Sequence, residues 1–212
     1  GQLLWLDVDT KIRELSGGKH SLDDFAHAFY GMESGSYVTK TYTFDDVVNT
    51  LNQVQPFDWA KFLRARLDYT GSELPEHGIA RGGWKLVYTD KPNAETKAME
   101  GIRHGVSLAG SIGLSASKSG SIYDVQWNGP AFKAGLVPGL DIVAVDGKDY
   151  SPDALKDAIT AAKTGSMPIE LLVKNVDVYS TVKIDYHGGL RYPHLERADG
   201  KDLLDAIATA RK

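Results

Sequence analysis

The sequence predicts an α+β protein of two domains, an all-α N-terminal region followed by a β-rich region with two helices. Three observations support this fold class. Apolar residues recur at helical spacing through the first third of the 212 residues. Beyond residue 105, short segments rich in β-branched residues replace that pattern. Between the two patterns, residues 91–105 are polar and contain Pro and Gly, which is typical of a linker.

Four helices are predicted in the N-terminal region, each with a stripe of apolar side chains. The first apolar residues of these stripes are Leu4, Leu22, Phe44 and Trp59. A Ser, Thr or Asp stands directly before each of the last three helices, where its side chain can cap the helix N-terminus. Residues 71–83 are predicted as a loop and residues 84–90 as a strand. We therefore take residues 1–90 as the first domain and 91–105 as the linker.

Five short strands are predicted in residues 106–190, which we take as the second domain. The strands cover residues 112–117, 122–127, 140–145, 169–173 and 178–184. Two helices interrupt them, a short one at 130–134 and a longer one at 152–163, which Ser151 caps. Residues 191–212 are predicted to be a C-terminal tail with a short helix.

Composition excludes several classes of function. Lys and Arg number 24 and Asp and Glu 28, a formal net charge of −4, which argues against binding nucleic acid. The absence of cysteine excludes disulfides, thiolate zinc sites and cysteine nucleophiles, and is compatible with both periplasm and cytoplasm. No apolar run reaches the roughly 18 residues of a membrane span.

No catalytic residue and no metal site is predicted in this chain. None of the six histidines lies one helical turn from another, as a zinc-peptidase helix requires. No Gly-x-Ser-x-Gly motif of a serine hydrolase is present. The carboxylate pairs Asp23-Asp24 and Asp45-Asp46 lie in the first turns of predicted helices, where the helix dipole favours anions, so we interpret them as capping residues.

Residues 128–147, Asn-Gly-Pro-Ala-Phe-Lys-Ala-Gly-Leu-Val-Pro-Gly-Leu-Asp-Ile-Val-Ala-Val-Asp-Gly, form the most distinctive motif of the chain. Small residues would let a short helix dock closely, and Gly135 and Gly139 permit backbone turns that other residues avoid. The motif resembles the core signature of PDZ domains in their bacterial, protease-associated form. The resemblance implies a PDZ-like β-sandwich or barrel with two helices.

A PDZ domain binds an extended peptide as an added strand, between a strand and the longer helix. The resemblance implies that the loop at Ser111–Leu114 presents backbone N–H groups to the peptide's C-terminal carboxylate. The predicted peptide-binding residues are Ser111, Ile112, Gly113, Leu114, Leu155 and Ile159. Alternatively, Leu155 and Ile159 belong to the core, Gly113 serves only a turn, or a neighbouring segment fills the groove.

Further segments resemble glycyl aminopeptidase-type metallopeptidases, which are gluzincins with a C-terminal PDZ domain. They are 4–7 (Leu-Trp-Leu-Asp), 16–25 around Ser-Gly-Gly-Lys, 42–47 (Tyr-Thr-Phe-Asp-Asp-Val), 84–90 and 185–197. Because the chain begins without Met and within a helical pattern, we expect it to be the C-terminal part of such an enzyme. The helices would then complete the catalytic domain.

The resemblance implies that the zinc ligands, a His-Glu-x-x-His motif and a further glutamate, lie upstream of these residues. We therefore expect no cofactor in this chain, zinc in the full-length protein, and no activity for the chain alone. The expected partners are the N-terminal catalytic part and a peptide or protein C-terminus in the PDZ groove. The alternatives are a non-catalytic, peptide-binding PDZ adaptor and a purely structural PDZ domain packed on the helices.

Overall fold

The computed structural model describes residues 1–33, 35–71 and 75–209, so residues 72–74 of the predicted loop and 210–212 of the predicted tail lie outside it. In chain order its elements are α1 Gln2–Ser16, α2 Leu22–Tyr30, α3 Phe44–Val54, α4 Trp59–Leu67, α5 His77–Arg81, β1 Trp84–Thr89, α6 Ala94–Arg103, β2 Gly105–Leu108, β3 Leu114–Ser117, β4 Ile122–Val125, α7 Pro130–Lys133, β5 Asp141–Val145, β6 Lys148–Asp149, α8 Pro152–Ala162, β7 Ile169–Asn175, β8 Val178–Ile184, β9 Tyr192–Arg197 and α9 Leu203–Ala208. The fold class is α+β, as the sequence predicts.

The chain divides into two compact units. Unit 1 comprises Gly1–Leu86 together with the chain from Leu195 onward, and unit 2 comprises Val87–His194. The described part of the predicted tail from Leu195 onward thus belongs to unit 1. Strands β1 and β9 form a two-stranded sheet, and both unit boundaries fall within these strands.

Unit 1 is a helical unit with one apolar core. The four predicted helices are α1–α4, and the fully buried Trp59 lies at the centre of their side chains. The buried core residues are Val8, Ile12, Phe25, Phe29, Leu51, Trp59, Phe62 and Leu63. Ser21 and Thr43 each form a reciprocal capping box with the aspartate three residues on. The capping aspartates predicted from the sequence, Asp24 and Asp46, therefore serve helix termini.

A buried carboxylate joins three helices of unit 1. Asp7 in α1 is 2% exposed and pairs with Arg66 of α4 and Arg81 of α5. The Arg81 guanidinium also donates to the Asp7 carbonyl at 3.1 Å and to the Thr10 hydroxyl at 3.2 Å. Helix α5 approaches α1 so closely that a Cβ at Gly78 would lie 2.7 Å from the Asp7 amide nitrogen. Only glycine fits at this position.

Unit 2 contains two antiparallel sheets around a second core. One sheet has the order β2-β3-β4 and the other the order β6-β5-β7-β8. Helix α8 begins at the predicted cap, where the Ser151 hydroxyl accepts from the Ala154 amide at 3.0 Å. Apolar residues from both sheets and from α7 and α8 meet in one buried cluster.

Two helices lie where the sequence predicts loops. Helix α5 occupies part of residues 71–83, and its position depends on contacts with α1 that are remote in sequence. Helix α6 occupies most of the predicted linker, residues 91–105. Asn93 caps it through the Thr96 amide at 2.7 Å, and none of its residues is buried.

We expect Asp7→Asn to lower the free energy of unfolding by about 3 kcal/mol, because two guanidinium groups then lose their shared carboxylate. Chemical denaturation followed by circular dichroism measures this change. Asp68→Asn is the matched control, since Asp68 and Arg64 form an exposed pair at 3.9 Å that we expect to contribute less than about 0.5 kcal/mol. Equal losses in the two variants would contradict a structural role for the buried cluster.

Candidate functional site

The described residues contain no group of three or more His, Asp or Glu side chains placed to hold a metal ion. Among the helices of that part of the chain, none is long and apolar enough to cross a membrane. The site that the sequence predicts is a groove in unit 2, between the loop before β3 and α8.

The loop before β3 is held in place from several sides. The Ile112 carbonyl accepts from the Ala131 amide at 2.8 Å, and the Gly113 carbonyl accepts from the Gln126 amide at 2.9 Å. The Ser111 hydroxyl accepts from the Arg191 amide at 2.9 Å. Gly113 has a φ of 73°, in the left-handed region that favours glycine. The loop backbone is thus rigidly positioned.

Strand β3 has a strand neighbour on each edge, which changes how the predicted groove must be understood. Strand β4 pairs with one edge, and β2 pairs antiparallel with the other, with Gly105 opposite Ser117 and Leu108 opposite Leu114. A peptide that binds by strand addition needs a free edge. In this arrangement a peptide can pair with β3 only where β2 now lies.

The end of β2 lies at the N–H groups of the predicted carboxylate-binding loop. The Leu108 carbonyl oxygen accepts hydrogen bonds from the amides of Ser111 and Gly113, both at 3.0 Å. Strand β2 runs antiparallel to β3 and reaches this loop with its C-terminal residue. It therefore has the direction, pairing and end point expected of a bound peptide C-terminus, with a carbonyl in place of the carboxylate.

The side chains of β2 fill the apolar part of the same region. Val106 and Leu108 are both 0% exposed and belong to the buried cluster that contains Leu155 and Ile159 of α8. Burial of two aliphatic side chains contributes about 1.5–3 kcal/mol each. Leu155 and Ile159 are themselves 0% exposed within this cluster. Ile112 and Leu114 are also fully buried, so the loop contributes its backbone to the groove.

A glutamate on α6 connects β2 to α8. The Ser107 amide donates to the Glu100 carboxylate at 3.0 Å, and the Lys156 ammonium lies 3.4 Å from the other oxygen of that carboxylate. Because the Ser107 N–H points to Glu100 and away from β3, Ser107 and Ser115 form a non-hydrogen-bonded cross-strand pair. Sequence analysis missed Glu100, since it lies in the predicted linker.

An open cleft of about 310 Å³ lies on the outer face of the β2-β3-β4 sheet, under α6. Its lining combines Met99 and Arg103 of α6 with Ser107, Ser115 and Tyr123 of the three strands. This cleft is separate from the apolar side of the sheet that holds Val106 and Leu108.

His187 lies at the C-terminal end of α8. Its Nδ1 atom is 2.6 Å from the Ala162 carbonyl oxygen, and its Nε2 atom is 3.1 Å from an Asp185 carboxylate oxygen. The hydrogen bond to the Ala162 carbonyl, assisted by Asp185, raises the pKa of His187 above its ordinary value of 6.5.

We expect His187 to stabilise the protein fully below its unfolded pKa and to lose this contribution as the pH rises through its higher folded pKa. An NMR titration of the imidazole measures the pKa directly. The difference in melting temperature between the wild type and His187→Asn should be larger at pH 5.5 than at pH 8.5. An imidazole that titrates below 6.5 would contradict this assignment.

Comparisons with known proteins bear on the fold. No protein-family model matches the chain, and no curated protein matches it. Among solved structures, it is similar to an aminopeptidase N family protein from Idiomarina loihiensis, with a TM-score of 0.62 and 18% identity over 93% of this chain and 33% of that chain. The chain shares the fold of the C-terminal region of that protein. It spans about a third of the length of that solved chain.

A second solved structure, the HtrA3 PDZ domain bound to a phage-derived ligand, is similar over 55% of this chain and 93% of that chain. The identity is 16% and the TM-score 0.27, which is too low to establish a shared fold. At the level of fold, the resemblance to an aminopeptidase C-terminal region is confirmed. Peptide binding at Ser111, Ile112, Gly113, Leu114, Leu155 and Ile159 stays a prediction.

Proposed function

We propose that this chain is the C-terminal, non-catalytic portion of a zinc-dependent aminopeptidase. In this proposal the helices of unit 1 complete the catalytic domain, and unit 2 is a PDZ-type domain that receives a chain end or controls access of substrate. The observation that carries the proposal is the similarity of fold to one aminopeptidase N family chain over 93% of this sequence. The zinc ligands would be supplied by residues upstream of Gly1.

The surface of unit 1 supports a role beside a further part of the protein. The segment around the end of α2 exposes several large apolar side chains, among them Tyr30 at 74%, Met32 at 63% and Tyr42 at 64%. They line an open cleft of about 220 Å³. Apolar patches of this kind mark interaction surfaces in soluble proteins. In the proposed function, the partner of this surface is the catalytic part of the enzyme that lies upstream.

Because both edges of β3 are paired, a closed PDZ-type domain is favoured over an adaptor whose groove is open to peptides. An adaptor needs a free strand edge, and both edges of β3 are taken here. The structural alternative, a PDZ-type domain whose groove is filled by its own chain, is therefore the second candidate function.

The proposed function predicts that the purified chain binds no stoichiometric zinc and cleaves no aminoacyl anilide. A longer protein that adds the upstream coding sequence should bind one zinc per chain and release the N-terminal residue of peptides, because it supplies the missing ligands. Elemental analysis and a chromogenic aminopeptidase assay measure the two properties.

One tight zinc in the short chain would overturn this proposal, as would a stop codon directly before the codon for Gly1. A longer protein with zinc bound but without hydrolytic activity would restrict the proposal to the family and exclude the reaction.

A further inference from the structure

We infer that β2 is an internal ligand of unit 2, and that the groove binds external chain ends of the form aliphatic-x-aliphatic-carboxylate in exchange for β2. This inference rests on the proposed function only where that assigns a PDZ-type groove to unit 2. It does not depend on zinc or on hydrolysis.

The geometry of β2 defines the ligand class. Val106 and Leu108 point into the core, whereas Ser107 lies on the side of the sheet that lines the outer cleft. An external ligand in the same register needs aliphatic side chains at its last and third-last positions, and it tolerates variation between them. The last residue must also be the chain end, because its terminal oxygens lie at the amides of Ser111 and Gly113.

A true chain end interacts more strongly with the loop than β2 does. The Leu108 carbonyl is neutral, whereas a terminal carboxylate carries a full charge and forms charge-assisted hydrogen bonds with the same amides. Bonds to Ala131, Gln126 and Arg191 hold the Ser111–Gly113 part of the loop in place while Leu108 and the turn that follows it move away.

Helix α6, which leads into β2, is weakly anchored. Helix α6 buries no residue fully, and Ile102 near its end is 72% exposed. His104 joins α6 to β2 with a φ of 48°, a left-handed conformation that costs energy for a residue with a Cβ. Strand β2 itself has four residues and only β3 as a strand neighbour among the described strands. We therefore expect α6 to open before the core does, whereas release of β2 also exposes Val106 and Leu108 of the core.

A tethered strand still competes strongly with a free peptide. Its effective concentration at the groove is of the order of millimolar, because a short segment connects it to the domain. We therefore expect weak peptide binding by the wild type. The Glu100 carboxylate holds β2 through the Ser107 amide and holds α8 through Lys156, so its removal should favour the exchange.

A reversible disulfide tests the exchange directly. The non-hydrogen-bonded pair Ser107 and Ser115 has Cα atoms about 4.5 Å apart, within the roughly 4.4–6.8 Å range of disulfides. Because the chain has no cysteine, only the introduced pair in Ser107→Cys/Ser115→Cys can be oxidised. The probe is a fluorescein-labelled peptide that repeats the sequence of residues 105–108 with a free C-terminus. Fluorescence polarisation measures binding.

We expect the reduced double variant to bind the probe and the oxidised one to lose at least tenfold in affinity. The same peptide with a C-terminal amide should bind at least tenfold more weakly than the free acid. The matched control is Glu170→Cys/Lys183→Cys, a cross-strand pair of β7 and β8. The Glu170 amide points to Asp146 of the other neighbouring segment, so this pair has the same non-hydrogen-bonded geometry. Its oxidation should leave binding unchanged.

Single substitutions provide a second test that needs no disulfide. Glu100→Ala should bind the free-acid peptide about tenfold more tightly than the wild type, because one charged hydrogen bond to β2 is lost. Glu95→Ala, an exposed glutamate on the same helix, should match the wild type. The far-ultraviolet circular dichroism of each variant reports whether it is folded.

Two results would overturn the inference. Equal binding by the oxidised and reduced Ser107→Cys/Ser115→Cys protein would place the peptide elsewhere. No binding by either the reduced protein or Glu100→Ala would make β2 a permanent strand of the domain. Neither result affects the zinc and hydrolysis measurements, so failure of this inference is distinguishable from failure of the proposed function.

Discussion

The double pairing of β3 is the constraint on which the interpretation of unit 2 depends. A strand has two edges, and here β4 and β2 take both. Because β2 takes one of these edges, the Leu108 carbonyl reaches the amides of Ser111 and Gly113, and Val106 and Leu108 join the core. A loop that could bind a carboxylate is thus satisfied by the chain's own backbone.

The two units rely on different means of cohesion. Unit 1 combines an aromatic core around Trp59 with a buried carboxylate that holds two arginines from distant helices. Unit 2 is held together by sheet pairing and an aliphatic core. Outside that core, the Glu100 carboxylate connects β2 to Lys156 of α8. Together the two units share the fold of an aminopeptidase C-terminal region.

Sequence analysis predicted the elements whose signals are local. Helices α1–α4 each carry an apolar stripe, and three of them a capping residue, and α8 has a cap and a proline at its start. Helix α5 has five residues, and its place is set by Gly78 against Asp7, a contact between residues far apart in sequence. Helix α6 buries no residue and is largely polar, so its sequence was predicted to be a linker.

The candidate site was predictable in part. The residues of the loop were predicted from their likeness to a known motif, and the choice between groove and core for Leu155 and Ile159 stayed open. That choice depends on which strand lies beside β3, and four residues, Gly-Val-Ser-Leu, carry no signal for their neighbour. Only the three-dimensional pairing of Gly105–Leu108 with β3 supplies it.

The Leu108 carbonyl that occupies the loop amides carries no net charge. In the closed arrangement the loop amides meet a dipole, and dissolved ions screen such an interaction little. An arriving chain end brings a full negative charge to a protein whose formal net charge is −4, so long-range repulsion opposes its approach. Ionic strength therefore acts on the encounter with an outside chain and leaves the resident strand almost untouched.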